Sequence, residues 1–136
     1  MTNTLITDKG KTKLLQLAFI NDNKDNAFNY LALGGANSSA VSSNDETKFS
    51  EVDGYNYTRA PLEAIIETDS SKQISLTGTF SSGNFQPTNG EVINEIAIID
   101  SSGKSNDSTI FAILSIPEIK KTDELSIKFT ILVEQS

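Results

Sequence analysis

Two glutamates, Glu63 and Glu67, are the residues whose spacing comes closest to an acid–base pair. They lie four positions apart in a segment that is expected to be a strand, which separates them by about 13 Å at roughly 3.3 Å per residue. Glycosidases that use two carboxylates need about 5–9.5 Å between them. Surface solvation is therefore the better interpretation, and a carboxylate hydrolase stays open only if the fold brings other acidic residues together.

A second candidate, for metal binding, is the run in which Asn21, Asn23 and Asp25 repeat the opening rhythm of a calcium loop. The sixth position of such a loop needs glycine and the twelfth a bidentate glutamate, but the chain has Asn26 and Ala32 there. The pattern instead favours a solvated polar turn.

Composition excludes several other chemistries. The 136 residues include no cysteine, histidine or tryptophan, which removes thiol nucleophiles, His-dependent triads and ordinary zinc sites. The net charge of −7 and a single arginine, Arg59, argue against nucleic-acid binding. The sequence thus predicts a non-enzymatic protein with no catalytic residues, no cofactor and no metal.

Glu95 stands out because it interrupts the apolar run 92–99, where an unpaired buried charge would be costly. Arg59 lies in another expected strand, and a bidentate Arg59–Glu95 pair would suit both side chains. The favoured interpretation is nevertheless a solvent-exposed Glu95, because charged residues are rarely fully buried, and the pair is the alternative. We interpret the pair as a structural contact with no catalytic role.

Four aromatic residues, Tyr55, Tyr57, Phe80 and Phe85, are candidates for a sugar-stacking platform. Carbohydrate-binding modules usually rely on tryptophan, which this chain lacks. Packing in the core or at a subunit interface is the favoured interpretation.

The elements that position these residues begin with one helix, predicted over residues 7–20. Thr7 is its expected N-cap, and Leu14 and Leu17 fall on one face. Ser43 and Glu46 are spaced as a capping box, which predicts a helical turn at 44–49 with Phe49 and Val52 pointing inward.

Alternating or continuous apolar runs predict the remaining elements as strands. Pro61 predicts an edge strand or bulge, the run 92–99 a central strand covered on both faces, and Pro117 the end of the strand that begins at Thr109. The fold class is therefore mainly β (α+β): an antiparallel β-sandwich or open barrel with one amino-terminal helix packed on it, in a single domain spanning 1–136. The expected strands cover residues 28–33, 57–66, 73–80, 92–99, 109–116 and 125–134.

No signal peptide and no membrane-spanning segment is predicted.

The order of several short segments resembles the phage tail-collar fibre family, whose modules stand at the amino end of tail-fibre and baseplate proteins of tailed bacteriophages. The segments that carry the resemblance are Leu5–Gly10, Tyr30–Gly34, Asp45–Thr47 with Glu51-Val52, Tyr57–Pro61, Ile93–Asp100, Ser101–Gly103 and Ser115–Lys121.

The resemblance implies a virion structural protein, placed in the tail or neck and assembled in the cytoplasm of the host bacterium. Its implied partners are other copies of itself, in a trimer or ring, and neighbouring tail or neck proteins, with no nucleic acid and no membrane. The helix and the loop 34–52 would dock on the tail, through Leu14, Leu17, Phe49 and Val52. A small β-sandwich that binds glycans or a receptor on the host surface is the alternative.

Overall fold

A computed structural model describes residues 4–12, 28–66, 73–83, 85–103 and 108–134. Within these residues the chain forms eight strands and two short helical segments, α1 (residues 8–12) and α2 (Ala40–Ser43). Two 3-10 turns span Glu46–Lys48 and Thr88–Gly90. The strands are β1 (Thr4–Ile6), β2 (Tyr30–Gly34), β3 (Ala60–Pro61), β4 (Glu63–Ile66), β5 (Gln73–Phe80), β6 (Ile93–Ile99), β7 (Ile110–Ile119) and β8 (Ile127–Glu134).

The strands form two antiparallel sheets. The larger sheet has the order β1-β7-β6-β2-β3, and the smaller has the order β4-β5-β8. The main core lies between them and includes Leu31, Phe80, Ile96 and Ile131. The predicted fold class, a mainly β antiparallel sandwich with a minor helical part, is confirmed.

Strand β6 occupies the middle of the larger sheet and is covered on both faces, as its continuous apolar run predicts. Ile96 and Ile98 face the core between the sheets. Ala97 and Ile99 face the other way, into a second cluster that includes Ala40 of α2.

The predicted start of the first helix is confirmed. The Thr7 hydroxyl accepts a hydrogen bond from the Gly10 N–H at 2.9 Å, as an N-cap does, and residues 8–12 are helical. The rest of the predicted helix, with Leu14 and Leu17, lies outside the described residues. Residues ahead of Thr7 form β1, which the sequence reasoning did not predict and which pairs with β7.

The prediction made for Pro61 is confirmed, whereas the one made for Pro117 is wrong. Pro61 lies on β3, an edge strand, as predicted. The expected strand 57–66 is divided, because β3 belongs to the larger sheet and β4 to the smaller. The prediction that Pro117 ends its strand is wrong: β7 continues to Ile119. The register between β6 and β7 shifts here, from Glu95 opposite Ser115 to Ile93 opposite Ile119, so Pro117 lies in a bulge that needs no N–H donor.

Candidate functional site

The Arg59 network is a buried polar cluster formed by Glu51, Tyr57, Arg59, Ser101 and Gly103. Arg59 is 7% exposed and donates two parallel hydrogen bonds to the Glu51 carboxylate, from Nε to Oε2 at 2.9 Å and from Nη2 to Oε1 at 2.8 Å. The Nη1 group donates to the carbonyls of Ser101 at 3.1 Å and Gly103 at 2.7 Å. One guanidinium therefore ties the segment before β3 to the turn that follows β6.

Tyr57 connects this network to strand β2. Its hydroxyl donates to Glu51 Oε2 at 2.7 Å and accepts from the Leu33 N–H at 3.1 Å. Burial raises the pKa of Tyr57 well above its usual value, and the charge and hydrogen bond of Glu51 add to the rise. Burial alone would lower the pKa of Arg59, but the hydrogen bonds and charge of Glu51 raise it overall. Both groups thus keep their protons at any physiological pH.

The second cluster is the Glu95 cap, in which the Glu95 carboxylate meets the start of α2. Glu95 is 3% exposed. Its Oε1 accepts from the Ser38 hydroxyl at 2.5 Å and the Ala40 N–H at 3.1 Å, and its Oε2 accepts from the Val41 N–H at 2.9 Å. Helix-start N–H groups lack partners within the helix, so a carboxylate placed there is stabilised without a cation.

Both interpretations of Glu95 are therefore wrong, because the residue is buried and does not pair with Arg59. Glu95 lies opposite Gly34 in the sheet and points toward α2. A β-bridge to Gly34 places Glu51 beside that same strand end, and the Glu51 carboxylate forms the ion pair with the Arg59 guanidinium instead. Sequence reasoning singled out Arg59 and Glu95 as a possible pair but did not identify Glu51 as the partner of Arg59. The only signal for Glu51 is a carboxylate eight residues before the sole arginine.

The predicted docking residues do not form one exposed surface among the described residues. Val52 is 1% exposed and belongs to the core between the sheets, so it is not available for docking. Phe49 is half-buried and packs against the second apolar cluster. Both side chains point inward, as predicted. The predicted helical turn at 44–49 forms at Glu46–Lys48, and its N-cap is Asp45 instead of the predicted Ser43.

Three of the four candidate aromatic residues pack in the core, as the favoured interpretation predicts. Phe80 and Phe85 are 0% and 2% exposed, and Tyr57 meets the Phe85 ring edge-on at 4.9 Å between centroids. Tyr55 alone is open to solvent, at 87%. One exposed ring is not a stacking platform.

The remaining acidic candidates divide between the described and undescribed parts of the chain. Glu63 is exposed on β4. Glu67 and the calcium-loop residues Asn21, Asn23 and Asp25 lie outside the described residues. In the part of the chain that the structure describes, no group of three or more acidic residues is placed to hold a metal ion.

Lys121 is a buried cation that sequence reasoning missed. It is 1% exposed, and its ammonium donates to the carbonyls of Phe85 at 3.0 Å and Thr122 at 2.7 Å. Burial lowers the pKa of Lys121, and the charge of Asp123 opposes that shift. Its partners are structural carbonyls, so Lys121 anchors the segment around Phe85 to the end of β7.

Comparison of the chain with protein-family models, with curated proteins and with solved structures finds no match. Among the described residues, no helix has the length and apolar character needed to cross a membrane.

Proposed function

We propose that this chain is a non-catalytic structural module of a tailed-bacteriophage particle, which acts by assembling with copies of itself and with neighbouring tail proteins. The proposal starts from the resemblance to tail-collar fibre modules. Within the described residues, the buried charged and polar groups serve as internal ties, which supports a rigid building block.

The observation that carries the proposal is the composition of the Arg59 network. Glu51, the segment Tyr57–Pro61 and the turn Ser101–Gly103 are three of the segments on which the resemblance rests, and Arg59 joins all three. The segment Tyr30–Gly34 forms β2, whose Leu33 N–H binds Tyr57. Segments that carry the resemblance thus contribute to the internal ties of the sandwich, which supports a scaffold role.

The proposal is tested by the mass of the purified protein, measured by light scattering behind a sizing column at two concentrations. An assembly module should give a trimer or larger ring, a fixed multiple of the 14.7 kDa chain, at both concentrations. A monomer at both concentrations that binds host cell walls saturably would instead support the glycan-binding alternative.

A further inference from the structure

Every residue other than glycine that has a positive φ in the described part of the chain is an asparagine. Asn44, Asn56 and Asn89 have φ values of 52°, 62° and 58°, in the left-handed region that asparagine enters more readily than most residues with a side chain. All three are exposed to solvent. The three sites therefore share a backbone conformation and access to water, and they differ mainly in the residue that follows.

The first two asparagines are followed by residues that are held in place. The N–H of Asp45 donates to the Ala40 carbonyl at 3.0 Å. The N–H of Tyr57 likewise donates to the Gly54 carbonyl at 3.0 Å. The side chains of Asp45 and Tyr57 are fixed as well, the first as the cap of a helical turn and the second in the Arg59 network. The main-chain nitrogen next to each of these asparagines is thus restrained and shielded.

The third asparagine, Asn89, is followed by Gly90 in the only Asn-Gly pair of the chain. Gly90 is exposed, and a Cβ added to it would meet only the Lys120 Cε, at 4.0 Å. The hydrogen bond that closes this turn, from the Glu91 N–H to the Thr88 carbonyl, is long at 3.3 Å. The turn therefore opens at little cost, and no side chain shields the Gly90 nitrogen from the neighbouring amide.

We propose that Asn89 is a site of spontaneous deamidation, an inference that goes beyond the proposed function and does not depend on it. The Gly90 nitrogen attacks the side-chain carbonyl carbon of Asn89, and the new C–N bond closes a five-membered succinimide. The side-chain nitrogen leaves as ammonia and takes the proton that the Gly90 nitrogen loses. Water then opens the ring at either carbonyl and gives aspartate or isoaspartate, so water is the only co-reactant and no atom changes its oxidation state.

The modification changes the charge and the main chain at a point where two segments meet. Either product adds one negative charge to a chain whose net charge is −7. Isoaspartate also lengthens the main chain by one methylene beside Pro87, which forms a β-bridge with Gly54, and beside the Thr88 N–H, which donates to the Asp53 carbonyl at 2.8 Å. We therefore expect the isoaspartate form to weaken the contact between this turn and the segment around Gly54.

The test is to incubate the purified full chain for four weeks at 37 °C, at pH 6 and at pH 8, and to follow each asparagine by tandem mass spectrometry of its peptide. Deamidation raises the peptide mass by about one dalton, because an amide NH2 becomes OH. Asn89 should react at least tenfold faster than Asn44 or Asn56. Its rate should be higher at pH 8, because the attacking nitrogen must lose its proton.

Gly90→Ala should slow the reaction at Asn89 at least tenfold, since the added methyl group hinders attack by the nitrogen. Gly83→Ala is the matched control, because Gly83 also has a positive φ, 78°, and a Cβ there meets no atom within 4 Å. The control should leave the rate at Asn89 unchanged. Absence of product at Asn89 after four weeks, equal rates at the three asparagines, or equal rates in the two glycine variants would overturn the inference.

Discussion

Arg59 is the residue on which the buried polar structure depends most. Its side chain and that of Glu51 are 5% and 13% exposed, and removing either partner leaves the other charge buried and unpaired. We expect Arg59→Ala to lower the free energy of unfolding by about 3–5 kcal/mol. Arg59→Lys keeps the charge but cannot form the fork to Glu51 and reach the Ser101–Gly103 turn together, so it should also destabilise.

Urea denaturation of the two Arg59 variants, of Glu51→Gln and of the Arg59→Ala, Glu51→Gln double variant checks this. The double variant should lose less stability than the two single losses added together, since the single changes remove one shared interaction. Strictly additive losses, or a loss below 1 kcal/mol for Arg59→Ala, would contradict the structural role given to the network.

Tyr57 predicts a dependence of stability on alkaline pH. Its folded-state pKa is raised above the unfolded value of about 10, so its contribution to stability is fully present below pH 10 and is lost as the pH rises above it. Tyr57→Phe should lower stability by about 1–3 kcal/mol near pH 8, because it leaves the buried Leu33 N–H without its acceptor. Above pH 10 the difference between the two proteins should shrink by up to about 1.4 kcal/mol per pH unit.

The measurement is urea denaturation of both proteins at pH 8, 10 and 11. Tyr55→Phe is the matched control, since Tyr55 is 87% exposed, and it should leave stability and its pH dependence unchanged. A difference between Tyr57→Phe and the unmodified protein that stays constant from pH 8 to 11 would rule out the burial effect on this hydroxyl.

At the scale of elements, the first helical turn is held against β7 by close backbone contact at Gly10. A Cβ on Gly10 would lie 2.7 Å from the Phe111 Cα and 2.8 Å from its carbonyl oxygen. Alanine favours helices over glycine by about 1 kcal/mol, but here the clash with a strand backbone outweighs that gain. We expect Gly10→Ala to destabilise by about 1–3 kcal/mol.

Gly103→Ala is the control, because a Cβ at Gly103 meets no atom within 4 Å. Thermal unfolding should show a lowered midpoint for Gly10→Ala and an unchanged one for Gly103→Ala. A higher midpoint for Gly10→Ala would mean that the backbone at Gly10 is not in close contact with the Phe111 backbone of β7.

The elements also show how far sequence reasoning reaches. The apolar pattern identified the strands around Phe80 and Ile96, because the first buries one face in the main core and the second buries one face there and the other in the second apolar cluster. It missed β1, whose three residues carry no pattern, and it ended a strand at Pro117, where a shift in register accommodates the ring. Local pattern does not encode register.

The candidate site was less predictable for the same reason. Sequence reasoning singled out Arg59 and Glu95 because each lies in an expected strand, but it favoured an exposed Glu95, which is wrong. It could not choose their partners, because those depend on where strand ends meet. Gly34 at the end of β2 is adjacent to both Glu51 and Glu95, through an isolated bridge and through the β2–β6 register, and neither pairing is encoded in the local sequence.

At the scale of the whole molecule, the described residues form a sandwich in which buried charged groups tie neighbouring segments together. We propose that such a body serves as one part of a larger assembly. The net charge of −7 disfavours non-specific association of its copies.

The most direct test of the central claim is to produce the tagged chain during phage particle formation, purify intact particles by density-gradient sedimentation and quantify the chain by mass spectrometry. We expect the chain to co-sediment with the tail in a fixed copy number that is a multiple of three. Purified particles that lack the chain, with all of it remaining at the top of the gradient, would contradict the proposed function.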